Sequence, residues 1–181
     1  MRALTAVDLR LLGRVLGLVV ALGVSASAAS ADVLAVGDRA AELDVAVDAS
    51  GKPVKLKAFK GRWVLLTAGA AWCVPCKKEL PAWDKVAGEL KDKITFVALT
   101  LDNDIADGKR FHKKLGLKNM VIVYLPEEKS GVAARYGAAT MPSSFVVDPQ
   151  GIVRHVHLGF DERNASGEQK KLKAALAKLI Q

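Results

Sequence analysis

Two cysteines, Cys73 and Cys76, are the residues whose type and spacing could most directly do chemistry in this chain. An apolar segment that predicts a buried strand precedes them, and helical periodicity begins at Cys73. At a helix N-terminus the unpaired N–H groups and the helix dipole favour a thiolate. Cys73 could therefore attack a partner disulfide, and Cys76, one turn further on, could resolve the mixed disulfide. The pair predicts dithiol–disulfide exchange.

Other uses of a cysteine pair are less well supported by the sequence. A purely structural disulfide between residues this close would close a small loop and stabilise the fold only weakly. A c-type haem site would need a histidine directly after Cys76, where Lys77 stands. A zinc site would need more ligands, and nothing in the sequence places His112, His155 or His157 near the cysteines. Redox exchange is the interpretation that these residues favour.

Strands and helices alternate along the chain in an order that positions the cysteines at a strand-to-helix junction. Residues 43–48 alternate between apolar and polar and predict a strand, with 54–56 as its short hairpin partner. We predict an α/β fold, a central mixed sheet flanked by helices. The other predicted strands are 63–68, 94–101, 120–125, 143–148 and 152–158, and the predicted helices are 73–90, 103–115, 130–136 and 165–180.

The first 31 residues have the features of a targeting segment. Arginines precede an apolar run over residues 15–24, and small residues lead to an A-x-A pattern that ends at Ala31. The run has about 10 residues, well short of the ~20 that a spanning helix needs. We predict a signal peptide over residues 1–31, with an uncleaved N-terminal anchor as the alternative, and one domain over residues 32–181.

The composition supports a folded domain and argues against a nucleic-acid partner. Hydrophobic residues make up 51% of the 181 residues and charged residues 25%, which excludes a disordered or low-complexity chain. The net charge is +8, but the lysines are scattered over many predicted elements, which indicates solvated faces. We expect no nucleic-acid partner for an exported protein of this kind.

Three segments carry a resemblance to a known family. Residues 51–66 resemble that family's lead-in to its active site, and residues 71–81 contain the Trp-Cys-Val-Pro-Cys motif. Residues 136–148 contain Met-Pro-Ser-Ser-Phe, beginning at Met141. Over about residues 36–180 the chain resembles the thioredoxin superfamily, and most closely the TlpA/ResA-like group of exported thiol–disulfide oxidoreductases.

The resemblance implies a fold and a function. It implies a thioredoxin-like fold with an N-terminal hairpin extension, and a periplasmic or otherwise extracytoplasmic enzyme that acts on protein thiols and disulfides without a cofactor. It further implies a reductant, for example in cytochrome c maturation, that a membrane-bound thiol donor recycles, and we expect a monomer. The dipeptide between the cysteines does not fix the reduction potential, so an oxidant of exported thiols remains an alternative.

The resemblance also assigns roles to individual residues. Pro142 matches the family's cis-proline, and the backbone of Met141 would pair with an extended substrate segment. Trp72 would shield the sulfurs and contribute to substrate binding. Glu79 would join Cys73 and Cys76 as a catalytic residue, because a glutamate stands there in ResA-like proteins.

Glu79 matters because thioredoxin's own buried acid is absent. The matching strand position here is Thr67, which cannot titrate. Near an apolar surface the pKa of Glu79 should rise, which suits a proton carrier. The alternative interpretation is a solvated glutamate on the helix surface.

Three further features of the sequence carry weaker signals. His155 and His157 share one strand face and, with the cysteines, raise the alternative of a copper-binding chaperone, although Sco-type copper carriers space their cysteines by three residues rather than two. We interpret both as exposed strand histidines and predict no metal site. A thiol peroxidase is disfavoured because no peroxidatic cysteine motif is recognisable. The acidic run of Asp102, Asn103, Asp104 and Asp107 lacks the glycine and glutamate of a calcium loop, and we interpret it as helix capping.

Overall fold

A five-stranded mixed sheet forms the centre of residues 32–180, the part of the chain that the computed structural model describes. The strand order is β3-β2-β1-β4-β5, in which β1, β2 and β3 are parallel and β4 is antiparallel to both β1 and β5. The predicted mixed sheet with flanking helices is confirmed. The strands are β1 (Trp63–Gly69), β2 (Ile94–Thr100), β3 (Val121–Tyr124), β4 (Ser143–Val147) and β5 (Val153–Leu158).

Three α-helices pack on the same face of this sheet. Alternate residues of β1 point to opposite faces, so Leu65 lies on the helical face and Leu66 on the other. Leu65 packs with Trp83 and Leu172, which come from the first and third helices. The helices are α1 (Cys76–Leu90), α2 (Ile105–Leu115) and α3 (Ala165–Leu179).

The opposite face is covered by segments with little regular structure. Leu66 packs there with Leu34, Leu43 and Tyr136, in a large apolar cluster. Residues 43–48 are not the predicted strand, because Val47 alone forms bridges, one of them to Pro53. The predicted hairpin extension is therefore reduced to a turn with a single antiparallel bridge. The predicted helix over 130–136 is a 3-10 turn, Ala134–Tyr136.

Capping residues fix the ends of α2 as the sequence predicts. The side chain of Asp104 accepts a hydrogen bond from the N–H of Ala106, 2.8 Å away. Gly116 ends the helix in the left-handed conformation, with φ of 64°, which glycine adopts without a steric penalty. None of the helices in residues 32–180 combines the length and apolar character that crossing a membrane requires. The predicted signal peptide or anchor, residues 1–31, lies outside the described residues.

Candidate active site

A disulfide between Cys73 and Cys76 lies at the junction of β1 and α1. After β1 ends, the N–H of Cys73 donates to the carbonyl of Ala70, 3.1 Å away, which turns the chain toward the helix. The two Cα atoms are 5.3 Å apart. Helix α1 begins at Cys76 rather than at the predicted Cys73, and Pro75 occupies the capping position before it.

The two sulfur atoms differ in their surroundings. The N–H of Cys76, in the first turn of α1, donates to Sγ of Cys73 over 3.3 Å. A free helical N–H aimed at sulfur stabilises negative charge on it. Cys73 is 5% exposed, whereas Cys76 is fully buried. The arrangement therefore makes Cys73 the sulfur that a partner can reach and on which a thiolate is favoured.

An apolar rim surrounds the disulfide. Trp72 and Val74 flank Cys73 in sequence and are 61% and 60% exposed. Met141 packs against the cluster that both cysteines form with Ala70. The predicted shielding residue Trp72 is thus largely exposed to solvent, while Met141 lies against the sulfur-containing cluster. Exposed apolar side chains around a reactive sulfur suit contact with another protein.

The segment before β4 presents free backbone groups beside this rim. The peptide bond between Met141 and Pro142 is cis, as the resemblance implies. The carbonyl of Pro142 accepts a hydrogen bond from the N–H of Gly159, 2.8 Å away, which ties this segment to the end of β5. Among residues 32–180, the N–H and C=O of Met141 have no backbone partner. They are available to an added extended segment.

Glu79 is fully buried, so it is not a solvated surface glutamate. Its Oε2 accepts a hydrogen bond from the Thr67 hydroxyl over 2.9 Å, and its Oε1 lies 3.1 Å from the Ser144 hydroxyl. Burial away from water raises the pKa of Glu79 to about 7, although hydrogen bonds from Thr67 and Ser144 oppose that rise. The buried acid comes from α1, and Thr67 of β1 is its hydrogen-bond donor.

Counting hydrogen atoms gives an independent indication that Glu79 is protonated beside the disulfide. Four short contacts join the group: Trp83 to Ser144, Ser144 to Thr67, and each of these two hydroxyls to Glu79. The indole and the two hydroxyls supply three hydrogens. A proton on Glu79 supplies the fourth, and every contact then has one hydrogen, whereas an ionised Glu79 leaves one oxygen pair without any.

Asp102 is a buried acid at the site, and the sequence did not identify it as a site residue. Both of its carboxylate oxygens lie 3.0 Å from the N–H of Ala71, two residues before Cys73. Burial raises the pKa of Asp102, and the hydrogen bond from the N–H of Ala71 opposes that rise. Interpreting the whole acidic run as helix capping was therefore wrong, since only Asp104 caps α2 and Asn103 accepts from the N–H of Glu128. The position of Asp102 directly after the predicted strand 94–101 was the available signal.

The histidines lie away from the cysteines. His112 packs in α2 against Thr100 and Tyr124. His155 and His157 are half-buried, because they face the helices, so their interpretation as exposed strand residues was wrong. Within residues 32–180, no group of three or more His, Cys, Asp or Glu side chains could hold a metal ion.

Two cavities of about 300 and 310 Å³ are lined by residues away from the disulfide. One lies near Arg39 and Arg62 at the opposite end of β1, and the other between the ends of α1 and α3. The disulfide instead lies beneath an open apolar rim, which suits a macromolecular partner better than an enclosed small molecule.

The fold and the site together define the class: a thioredoxin-like protein with a Cys-x-x-Cys disulfide at the start of its first helix. The AhpC/TSA family model matches residues 36–156, and the chain belongs to this family. Similarity to ResA proteins confirms the resemblance seen in the sequence.

Relatives and a solved structure agree with this assignment. The chain is 35% identical over 111 residues to thiol-disulfide oxidoreductase ResA of Bacillus thuringiensis subsp. konkukian, covering 60% of this chain and 62% of that protein. It is 30% identical over 110 residues to thioredoxin-like protein YneN of Bacillus subtilis, covering 61% and 64%. The match thus spans less than two thirds of the length of both relatives. A putative thiol:disulfide interchange protein DsbE from Chlorobium tepidum superposes with a TM-score of 0.66 at 27% identity, covering 79% of this chain and 99% of that one.

Proposed function

We propose that this protein is a thiol–disulfide oxidoreductase that works through Cys73 and Cys76. The observation that carries the proposal is the disulfide at the start of α1, with Sγ of Cys73 facing the N–H of Cys76. Relatives named thiol-disulfide oxidoreductase support it, since they share the segment that contains this pair.

The exchange proceeds in two displacements that conserve electrons. In the reduced protein the Cys73 thiolate attacks one sulfur of a substrate disulfide, forming a mixed disulfide and releasing one substrate thiolate. The Cys76 thiolate then attacks Sγ of Cys73, which forms the internal disulfide and releases the second substrate thiolate. Two electrons pass from the protein to the substrate. The burial of Cys76 keeps its sulfur directed at Cys73 rather than at solvent.

Glu79 is suited to manage the proton of Cys76. Gly69 and Thr67 lie on the same face of β1, two positions apart, a separation of about 7 Å along a strand. A Cβ at Gly69 would be 3.4 Å from Sγ of Cys76, and the Thr67 hydroxyl bonds Glu79. Cys76 and Glu79 therefore lie over successive positions of one strand face. A carboxylate with a pKa of about 7 can accept the Cys76 proton near neutral pH and return it.

The substrate segment binds beside the disulfide in an extended conformation. The free N–H and C=O of Met141 pair with its backbone, and Trp72 and Val74 contact its side chains. Such pairing is largely independent of sequence, because it uses main-chain groups. The site therefore accepts protein thiols rather than one small molecule.

The direction of transfer and the cellular setting belong to the same proposal. The protein acts as a monomeric reductant of exported proteins, with apocytochrome c cysteines as a representative substrate, and a membrane-bound thiol donor recycles it. The arginine-rich and apolar pattern of residues 1–31 supports export through a signal peptide or anchor. Outside the cytosol, a reducing thiol pair needs a dedicated donor.

A redox titration tests both the activity and its direction. The purified protein is equilibrated with dithiothreitol and glutathione couples, and the free thiols of Cys73 and Cys76 are counted after alkylation. A reductant should have a midpoint near about −270 mV, whereas a midpoint near about −120 mV would identify an oxidant. A pair that cannot be cycled between thiol and disulfide at all would contradict the proposed activity.

A further inference from the structure

Another buried acid, Glu168, lies behind Trp83, on the side away from the Glu79 contacts. Glu168, in the first turn of α3, is 4% exposed, and its Oε2 lies 3.1 Å from Nε2 of His157. No hydrogen bond joins them, so the two groups meet as a close packing contact. Oε1 of Glu168 accepts a hydrogen bond from Lys171 over 2.7 Å. A carboxylate in the first turn of a helix is favoured by the helix dipole.

The strand register connects this pair to the active site. Thr67 of β1 is paired with Ser144 of β4, and Ser144 is paired with His157 of β5. The three side chains therefore form one row across three strands, on the face that the helices cover. Glu79 lies above one end of the row, and Glu168 contacts the other end.

Trp83 joins the two halves of the row. Its Nε1–H donates to Oγ of Ser144 over 3.1 Å. The His157 ring packs edge-on against the indole at 5.6 Å, and Phe160 packs against it at 5.5 Å. These contacts hold the indole N–H on Ser144. The Ser144 oxygen is thereby committed as an acceptor, which directs its own hydrogen toward Thr67 or Glu79.

Because the region between them is buried, the charge of Glu168 can act on Glu79 across Trp83. Trp83 and Glu79 are fully buried, so the medium between the two carboxyl groups is a packed interior rather than water. Charges interact more strongly there than across solvent. The negative charge of Glu168 contributes to raising the pKa of Glu79.

We propose that Glu168, held against His157, is a positioning residue that keeps Glu79 protonated from the far side of Trp83. The inference rests on the proposed function for its consequence, since the protonation of Glu79 governs when the Cys76 thiol can lose its proton. Loss of the Glu168 charge, or its more complete neutralisation by a neighbouring positive charge, would let Glu79 ionise at lower pH.

Other charged groups face the row, and they determine the direction in which each substitution should shift the titration midpoint of Glu79. Among the described residues, β1 and β4 contribute the hydroxyls of Thr67 and Ser144, which do not titrate in this range. Lys171 partly neutralises Glu168, so its removal should act in the opposite direction to removal of Glu168. The titratable or charged groups around the row are Glu79 from α1, His155 and His157 from β5, Asp161 before α3, and Glu168 and Lys171 from α3.

The test is a carbon-13 NMR titration of the Glu79 carboxyl group in the oxidised, full-length protein. In this state the cysteines do not titrate, so the readout needs no activity. Glu168→Gln should lower the titration midpoint of Glu79 by about half a pH unit or more. Lys171→Gln should raise it by a smaller amount, because the Lys171 side chain is 68% exposed.

Glu89→Gln is the matched control. Glu89 also pairs with a lysine of α3, Lys173, at 3.0 Å, but both side chains are exposed. Its charge is screened by water, so the Glu79 midpoint should stay unchanged. An unshifted midpoint in Glu168→Gln, a downward shift in Lys171→Gln, or an equal shift in Glu89→Gln would each overturn the inference. Lys171→Gln keeps the test decisive should Glu168→Gln fail to fold.

A second readout separates this inference from the proposed function. The rate of thiol exchange of the reduced protein is followed against pH, and its inflection should move in the same direction as the NMR midpoint in each variant. A wild-type protein without exchange, but with the expected NMR shifts, would refute the activity and leave the role of Glu168 intact. Exchange with no NMR shift in Glu168→Gln would do the reverse.

Discussion

The two sulfurs of the site have different tasks because their access to solvent differs. Cys73 is slightly exposed and receives the N–H of Cys76, whereas Cys76 is fully buried. In Cys76→Ala, the remaining Cys73 should form a stable mixed disulfide with glutathione, because nothing resolves it. In Cys73→Ala, the buried Cys76 should react with glutathione at roughly one tenth, or less, of the rate of Cys73 in Cys76→Ala. Intact-mass spectrometry after treatment with oxidised glutathione measures both rates.

The outcome that matters is the difference between the two single variants. Both remove one sulfur from the same cluster, so loss of packing is similar in each and cannot account for unequal rates. Equal rates of glutathione addition would contradict the assignment of Cys73 as the attacking sulfur. Faster addition at Cys76 would reverse the two roles.

Individual residues show where sequence reasoning succeeds and where it stops. The spacing of Cys73 and Cys76 predicts their disulfide because both lie in one local segment. The burial of Glu79 could be anticipated only through the resemblance. Its partners Thr67 and Ser144 could not be identified, because they meet only through the register of β1 against β4.

At the scale of elements, the loop between β1 and α1 depends on the end of β2. The N–H of Ala71 is held by both oxygens of Asp102, and the N–H of Leu101 donates to the carbonyl of Gly69 over 2.9 Å. Asp102→Ala should lower the free energy of unfolding by about 1 kcal/mol, since the partly buried N–H of Ala71 loses its acceptor. It should also change the midpoint potential of the disulfide, because the loop carries Cys73. Asp102→Asn keeps one acceptor oxygen and should have smaller effects.

Asp104→Ala provides the control for this element. Asp104 lies two residues further on and caps α2, so its loss should cost about 1 kcal/mol of stability. Its side chain accepts from the N–H of Ala106 in α2 rather than from Ala71, so the midpoint potential should stay at the wild-type value. Urea unfolding and redox titration of the three variants distinguish general destabilisation from a specific effect on the site. A shifted potential in Asp104→Ala would contradict this division.

Elements differ in how far local sequence determines them. The apolar runs that became β1 and β2 were predictable, because strands buried on both faces need apolar side chains throughout. Residues 43–48 alternate as a strand should, yet Val47 is the only one of them that forms a β-bridge. The buried residues there are Leu43 and Ala46, three positions apart, whereas Val45, which alternation places on the same side as Leu43, is 42% exposed. The alternating pattern therefore did not identify which side chains this segment buries.

At the scale of the whole molecule, two buried groups make opposite contributions to the pH dependence of stability. Burial raises the pKa of Glu79 to about 7 from 4.5, so its contribution is fully present below pH 4.5 and is lost as pH rises toward 7. Burial lowers the pKa of His112 to about 4 from 6.5, so its contribution is present above pH 6.5 and is lost as pH falls toward 4. Each is worth on the order of 3 kcal/mol.

The two contributions overlap between pH 4.5 and 6.5, where they cancel in the wild-type protein and become visible in the variants. Glu79→Gln keeps a neutral side chain of the same size, so the contribution of His112 is no longer opposed by Glu79 and the stability of the oxidised protein should rise with pH more steeply than in the wild-type protein. His112→Gln should change the slope in the opposite direction, toward a fall in stability up to about pH 7, because the contribution of Glu79 is then unopposed by His112. Urea unfolding at several pH values measures both slopes, which do not depend on any constant loss of packing in either variant. An unchanged slope in Glu79→Gln would mean that Glu79 is ionised in the folded protein, and the hydrogen count at Thr67 and Ser144 would then have to be wrong as well.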